Sequence, residues 1–192
     1  YMLSILNVPY IHENIEADLI SSKLSSENVV NMVISEDMDH LTNGTKYLIR
    51  DFNVNNNVAK CYDLEKIKEK LCLTQEKFIN LCILFGCDYL KRIKGLGTIS
   101  SYNIIKSVNS DNIEDIVAKI KTTKNVIVPE NYIEEFNKAK TIFKNENIDL
   151  NNININNGYL ENNNVINNPA FDNSQKNAIS YLKKYTNLSE RK

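Results

Sequence analysis

The sequence has no tryptophan, only two histidines, and no two cysteines at the C-x-x-C spacing. The histidines, His12 and His40, also lie far apart, so the composition argues against a zinc site. The four cysteines are Cys61, Cys72, Cys82 and Cys87. Unpaired thiols in this pattern favour a reducing intracellular compartment, and Cys82, inside an apolar run, is predicted to lie in the core.

No long apolar run, signal peptide or excess of basic charge is visible in these residues. The formal net charge of the chain is −1, so any binding to a polyanion must come from local patches. Its 192 residues are enough for one domain of ordinary size or for a domain with an appendage, and the 42% of hydrophobic residues is enough to form a core. The chain does not begin with methionine, and Tyr1–Leu6 has the pattern of the last turns of a helix. We therefore expect a fragment of a longer protein.

Apolar periodicity predicts mixed strands and helices first and helices alone afterwards. The predicted strands are 10–11, 29–35, 46–52 and 59–64. The predicted helices are 15–24, 64–71, 75–85, 98–108, 111–121, 129–145 and 172–186, with Thr74 and Thr98 as N-caps and Pro129 in a first turn. Residues 151–168 contain ten asparagines, which indicates a linker. The chain is predicted to divide into two regions, at 1–90 and 91–150, followed by an Asn-rich linker at 151–171 and a C-terminal helix and tail at 172–192.

Three acids crowd into four residues just after the strand at 29–35, namely Glu36, Asp37 and Asp39. Ligands collect beyond the carboxyl ends of strands in sheets flanked by helices, so this is a natural place for a site. Further acids open the helix at 15–24 and follow the glycine that ends the helix at 75–85. The candidate metal ligands are Glu16, Asp18, Asp37, Asp39 and Asp88. Oxygen ligands suit two Mg²⁺ ions, with Mn²⁺ as a substitute.

Each of these acids also has a plain structural interpretation. An aspartate after a strand is more often a turn former or a helix cap than a metal ligand, and D-x-D alone is weak. The order Glu16-x-Asp18, Asp37-x-Asp39 and Asp88 is the stronger argument for a shared site.

A second motif, "RIKGLGTIS" at 92–100, places two glycines around one apolar residue. Such a turn can direct backbone N–H groups toward a phosphate, and the neighbouring basic residues favour that contact over a solvated loop. The predicted DNA-binding residues are Arg92, Lys94, Gly95, Leu96, Gly97 and Thr98, with Lys91 beside them.

The segments "PYI…IEAD", "VISEDMDHLTNGTKYLIR", "KFINLCILFGCDYL", "IKGLG" and "VPENY" resemble, in order and spacing, the structure-specific 5′-nucleases of the flap endonuclease, exonuclease 1 and XPG type. The resemblance covers about residues 5–145. It implies a truncated α/β domain of the PIN-like, parallel-sheet type with a helix–two-turn–helix extension. It also implies that the five acids bind two divalent metals and that Gly95 and Gly97 belong to the hairpin that grips duplex DNA.

The resemblance further implies a metal-dependent 5′-nuclease that acts on 5′-flap, nicked or branched DNA. Its place of action would be the nucleus or an intracellular viral replication site. The choice between exonuclease and flap endonuclease stays open. So do two rivals, a non-catalytic DNA-binding module and a PIN-type ribonuclease. No membrane partner and no sliding-clamp motif is indicated. The family's N-terminal region, with two further acids, a catalytic lysine and a helical arch, has no counterpart in these residues.

Two departures from the family pattern concern the hairpin. Thr98, Ile99 and Ser100 stand where the family carries Lys or Arg just after the second glycine. Arg92 stands where the family keeps a serine that helps to hold a monovalent cation. Either the Arg92 guanidinium replaces the charge of that ion, or Arg92 faces solvent and the backbone carbonyls of the hairpin still bind K⁺.

Overall fold

The structure is a computed structural model that describes residues 3, 8–53, 55–124, 126–153 and 155–156. The predicted helix 172–186, nearly all of the predicted opening turns at Tyr1–Leu6, and most of the Asn-rich stretch lie outside these residues. The strands are β1 (Tyr10–Ile11), β2 (Val33–Ile34), β3 (Tyr47–Asn53), β4 (Val58–Asp63) and β5 (Ile155–Asn156). The helices are α1 (Ala17–Ser26), α2 (Asp39–Thr42), α3 (Leu64–Leu71), α4 (Gln75–Phe85), α5 (Thr98–Ser107), α6 (Ile113–Lys121) and α7 (Tyr132–Lys144), followed by a 3₁₀ turn at Leu150–Asn152.

The chain divides into two units, one formed by residues 15–150 and one by 1–14 together with 151–192. In the smaller unit, β1 pairs antiparallel with β5. The larger unit contains all the predicted site residues. The predicted division of the chain after residue 90 stays a prediction.

The sheet of the larger unit has the order β2-β3-β4. The β2–β3 pair is parallel and the β3–β4 pair is an antiparallel hairpin, so the sheet is mixed. The strand predicted at 29–35 shrinks to Val33–Ile34. The reason is local, because the N–H groups of Val29 and Val30 both donate to the carbonyl of Leu24 at the end of α1 and are lost to the sheet.

The predicted capping chemistry is confirmed at α4 but not at α5 or α7. Thr74 Oγ1 accepts the N–H of Lys77 at 3.2 Å, which confirms the cap of α4, and the helix ends at Gly86. Two details were wrong. The N-cap of α5 is Gly97, and Thr98 is already the first helical residue. Pro129 precedes α7 in a turn, where its carbonyl accepts the N–H of Tyr132.

Two apolar clusters meet at α4. The first lies under the sheet and contains Val33, Leu41, Leu48, Leu64 and Phe78. The second is larger and joins α4 to α5, α6 and α7. Phe78 faces the first cluster while Ile83 and Leu84 face the second. This helix therefore ties the acid-bearing sheet region to the helical region that carries the glycine hairpin.

Two side chains of these helices deserve comparison with the prediction. Cys82 is a free thiol packed against the sheet cluster, in agreement with its predicted place at the core, and burial raises its pKa to about 11. The apolar pattern of α5 predicts a core face of Ile99, Tyr102, Ile104 and Ile105, but Ile99 is 77% exposed. The buried stripe of α5 follows Ser101, Ile104 and Ile105, and Ile99 falls outside that stripe.

Candidate metal centre and nucleic-acid interface

Two nested turns carry the chain from β2 into α2. Ser35 Oγ accepts the N–H of Asp37 at 3.1 Å, and Asp37 Oδ1 accepts the N–H of Asp39 at 2.8 Å. The plain structural interpretation therefore holds for one oxygen of Asp37, which forms an Asx turn. Its second oxygen takes no part in that turn.

Glu36 turns away from its two acidic neighbours. Its Oε1 accepts the N–H of Asp51 at 3.0 Å, and its Oε2 lies 3.6 Å from Nε of Arg50 on the adjacent strand β3. One of the three crowded acids is therefore offset by a cation and serves the sheet. Of the three acids, Asp37 and Asp39 are the two that still repel each other.

Asp39 is the electrostatic centre of the remaining acids. Burial raises the pKa of its carboxyl group, and repulsion from Asp37, Asp88 and Asp18, in that order, raises the pKa further. Among the described residues, no lysine or arginine forms an ion pair with Asp37, Asp39 or Asp88. The sequence-predicted acids therefore gather around Asp39 without a protein cation to offset them.

The first turn of α1 contributes two of the acids. Glu16 occupies the N-cap position without a side-chain capping bond, and Asp18 is the second helical residue. Glu16 accepts a hydrogen bond at Oε2 from the hydroxyl of Tyr89 at 3.2 Å. Asp18 Oδ1 lies 3.3 Å from Nε2 of His40.

Asp88 and Tyr89 form the tip of a tight turn after α4. The backbone groups of Cys87 and Leu90 bond reciprocally, N–H to carbonyl in both directions, and so close the turn. The Tyr89 ring packs edge-on against Phe143, with 5.5 Å between ring centroids. Burial, followed by the charge of Glu16, raises the pKa of the Tyr89 hydroxyl to about 12, so this group remains a hydrogen-bond donor at neutral pH.

Gly86 sets the direction of that turn. Its φ is +95°, and a Cβ added there would lie 3.2 Å from the backbone N and 3.3 Å from Cβ of Arg92. Only glycine therefore allows the Asp88 turn to lie against the start of the glycine hairpin. The contact joins the candidate metal centre to the candidate DNA interface.

We expect Gly86→Ala to lower the free energy of unfolding by about 1–3 kcal/mol, because alanine is strained at this φ and its Cβ crowds Arg92. Gly97→Ala is the matched control, since Gly97 has an ordinary φ of −81° and a Cβ there meets nothing within 4 Å. Its cost should stay below about 1 kcal/mol. Urea unfolding of both variants measures the difference, and equal costs would show that the Gly86 contact carries no strain.

The glycine hairpin presents a basic surface on a buried anchor. Lys91, Arg92 and Lys94 are exposed, while the Leu96 side chain is 1% exposed and its N–H donates to the carbonyl of Ile93 at 3.1 Å. Leu96 therefore holds the turn from inside. The exposed groups are the basic side chains, both glycines and Thr98, and their DNA contacts stay predictions.

The acids suit a hard divalent ion by chemistry, since every donor is a carboxylate oxygen and their charge is not neutralised by a neighbouring side chain. Within the described residues, however, no three acidic, histidine or cysteine side chains converge at metal-ligand distances. The ligand roles of Glu16, Asp18, Asp37, Asp39 and Asp88 stay predictions.

Three contributors to this region were not predicted. Tyr89 lies inside the quoted motif "GCDYL" and His40 inside "EDMDHL", yet only the acids were assigned a role. Arg50, which pairs with Glu36, lies fourteen residues further along the chain. The partners of Tyr89 and Arg50 follow from folding, and the histidine directly after the D-x-D pair was the one local hint.

Comparisons with known proteins agree with this architecture. The XPG I-region family matches residues 7–88. The flap endonuclease 1 of Cryptosporidium parvum is 34% identical over 165 residues, covering 79% of this chain and 33% of the relative. The flap endonuclease 1 of Entamoeba histolytica is 34% identical over 145 residues, covering 74% of this chain and 37% of the relative. The chain thus spans about a third of the length of these curated relatives.

Solved structures show the same fold. A flap endonuclease-1 from Methanococcus jannaschii superposes with a TM-score of 0.59 at 18% identity, covering 98% of this chain and 57% of that one. The catalytic core of Rad2 in complex with a DNA substrate gives 0.55 at 23% identity, covering 72% and 51%. The PIN-like fold class is confirmed.

Among the described residues, no helix has the length and apolar character to cross a membrane. Together these matches show that residues 7–88 of the chain match the XPG I-region and that the chain is similar to the XPG-type 5′-nucleases.

Proposed function

We propose that this chain contributes the metal-binding acids and the DNA-gripping hairpin of a structure-specific 5′-nuclease. The activity would be 5′–3′ exonuclease action, flap endonuclease action, or both, on branched or nicked DNA during replication or repair. The observation that carries the proposal is the group of carboxylates around Asp39 that no lysine or arginine of the described chain neutralises. Such a group is costly to keep unless a cation binds there.

The proposed ligands divide by the element that holds them. Asp37 and Asp39 extend from the end of β2, Glu16 and Asp18 from the start of α1, and Asp88 from the turn after α4. We propose that they hold two Mg²⁺ ions, which Mn²⁺ can replace. When bound, such ions supply an activated water and offset the charge that develops on a phosphodiester. The chain's own residues hold these carboxylates in place and keep Glu16 bonded to Tyr89.

The hairpin is proposed to bind the phosphate backbone of the duplex beside the cleavage junction. Its exposed lysines and arginine supply the charge, and the glycines let backbone N–H groups approach a phosphate. The Gly86–Arg92 contact fixes this hairpin against the Asp88 turn. A duplex bound by the hairpin would therefore lie at a fixed position relative to the acids.

Relatives bound to DNA support the choice of partner. The Rad2 core was solved with a DNA substrate, and human GEN1, 25% identical with a TM-score of 0.53, was solved with Holliday junction DNA. The flap endonuclease relatives favour a 5′-flap duplex as the substrate class. We infer a place of action where DNA is replicated, which is the nucleus of a eukaryotic cell or a viral replication site.

The test of the proposal measures both sites in the same chain. We expect Mn²⁺ to raise the melting temperature, and a 5′-flap duplex to bind more tightly than single-stranded DNA of the same length. Asp39→Ala should remove the Mn²⁺ response alone, and Lys94→Ala should weaken DNA binding alone. A non-catalytic DNA-binding module would bind the flap without any response to Mn²⁺. Absence of both responses would refute the proposal.

The hairpin's departure at Arg92 leads to a smaller prediction. If the exposed guanidinium replaces a bound monovalent cation, flap binding should change less than about twofold between K⁺ and Na⁺ at fixed ionic strength. Arg92→Ser should create a K⁺ preference. Fluorescence-anisotropy titrations in the two salts decide it, and a strong K⁺ preference in the unaltered chain would show that Arg92 only faces solvent.

A further inference from the structure

His40 is buried at the boundary between the two elements that carry Asp18 and Asp39. Its side chain is only 1% exposed, and it follows Asp39 directly in α2. Its Nδ1 lies 2.8 Å from Oγ of Ser22, which is fully buried on α1. Its Nε2 lies 3.3 Å from Oδ1 of Asp18, which is one turn before Ser22 on α1, but among the described residues it has no partner with aligned hydrogen-bond geometry.

The chemistry of the ring decides what this arrangement does. If Nε2 carried a lone pair, that lone pair would face a carboxylate oxygen of Asp18 and be repelled by it. Nε2 must therefore carry a hydrogen that points toward Asp18. The hydroxyl of Ser22 can rotate to match whichever state Nδ1 then has. A buried N–H without an aligned acceptor is unfavourable, and a small rotation of the half-exposed Asp18 side chain would complete the bond.

We propose that His40 is a positioning residue that fixes Asp18 relative to Asp39. The imidazole is joined to Asp39 through the main chain and is anchored on α1 by Ser22. Its Nε2–H holds one oxygen of Asp18 and thereby fixes the orientation of the carboxylate. The other oxygen remains available to an ion. Partners of this kind, one shell out from a metal ligand, set ligand orientation and metal affinity. The inference rests on the proposed metal site.

Two substitutions of His40 separate positioning from packing. The amide of glutamine reaches the place of Nε2 and can still donate to Asp18, whereas the amide of asparagine reaches only the place of Nδ1 beside Ser22. We expect His40→Asn to weaken Mn²⁺ binding about tenfold and His40→Gln to weaken it less than threefold. The loss of the free-ion signal in Mn²⁺ electron paramagnetic resonance measures both constants on the 192-residue chain.

Ser22 and Ser25 provide the matched control on α1. Both are fully buried, but Ser25 Oγ accepts the N–H of Lys46 and does not touch His40. Ser22→Ala should therefore weaken Mn²⁺ binding, while Ser25→Ala should lower the melting temperature with the Mn²⁺ constant unchanged. Equal Mn²⁺ constants for His40→Asn and His40→Gln, or equal constants for the two serine variants, would overturn the proposal. If His40→Asn failed to fold, the other three variants would still decide it.

A measurement without metal separates this inference from the proposed function. In EDTA, the melting temperatures of Asp18→Ala, His40→Asn and the double variant form a cycle. Removing Asp18 should cost less stability in the His40→Asn background than in the unaltered chain, because the pair is already broken there, while the repulsion between Asp18 and Asp39 is relieved equally in both. Additive shifts would overturn the role of His40. If the unaltered chain bound no Mn²⁺, the metal proposal would fall and this cycle would still decide whether His40 fixes Asp18.

Discussion

Asp39→Asn is expected to raise the melting temperature of the metal-free chain at pH 7 by about 2–4 °C, the shift that ~1 kcal/mol produces at this chain length. The substitution removes a half-buried charge that is repelled by Asp37, Asp88 and Asp18. It leaves the backbone N–H of residue 39 bonded to Asp37. Because water and salt screen a half-buried group, the gain should shrink at high ionic strength.

The pH dependence of that gain follows from the direction of the shift. The pKa of Asp39 is raised in the fold above its ordinary value of 3.8. The charged form therefore destabilises the fold fully above the folded pKa, and this penalty fades as the pH falls through that value toward 3.8. The advantage of Asp39→Asn should be present at pH 7 and lost near pH 4. Thermal melts across this range in EDTA measure it.

The same substitution should abolish the stabilisation by Mn²⁺. At a hundredfold excess over the dissociation constant, a bound ion contributes about 2.7 kcal/mol, or roughly 5–11 °C here. Glu36→Gln is the control, because Glu36 is paired with Arg50 and its amide can still accept the N–H of Asp51. That variant should gain no stability in EDTA and should keep the Mn²⁺ response. An Asp39→Asn chain that Mn²⁺ still stabilised fully would remove Asp39 from the metal site.

The acids of the candidate site could be predicted from sequence because their evidence is local. Asp37 and Asp39 follow a β-branched run, and Asp88 follows the glycine that ends an apolar helix. Their environment could not be predicted in this way. The bond from Tyr89 to Glu16 joins residues 73 positions apart, and the contact of His40 with α1 depends on how α1 packs on α2. Such partners appear only when the chain is folded.

The fold shows the same division between local and distant causes. The helix at Leu64–Leu71 was predicted to the residue, since Asp63 accepts the N–H of Lys66 and fixes its start. The strand at 29–35 was predicted too long, because periodicity cannot show that the end of α1 captures the N–H groups of Val29 and Val30. Capping is decided within four residues, whereas strand length depends on which neighbour takes the backbone hydrogen bonds.

Cleavage is the property that we expect these 192 residues to lack when they are purified alone. Five carboxylates must serve two ions that each take about six oxygen ligands, so much of both shells would be left to water. The charge that develops on a phosphate in the transition state also needs a cation nearby. Among the described residues, no lysine or arginine is paired with Asp37, Asp39 or Asp88. Loss of one such group typically costs ~10²–10³ in rate.

The assay combines a 5′-flap duplex with Mg²⁺ and compares the unaltered chain with Asp37→Asn. Asparagine keeps an oxygen that can accept the N–H of Asp39, so the turn survives while the charge is lost. We expect both chains to bind the flap through the hairpin, as seen in a gel shift, and neither to cut it appreciably. Robust cutting by the unaltered chain that Asp37→Asn abolishes would mean that the five acids suffice. The shortage of ligands and of a compensating cation would then not limit the reaction.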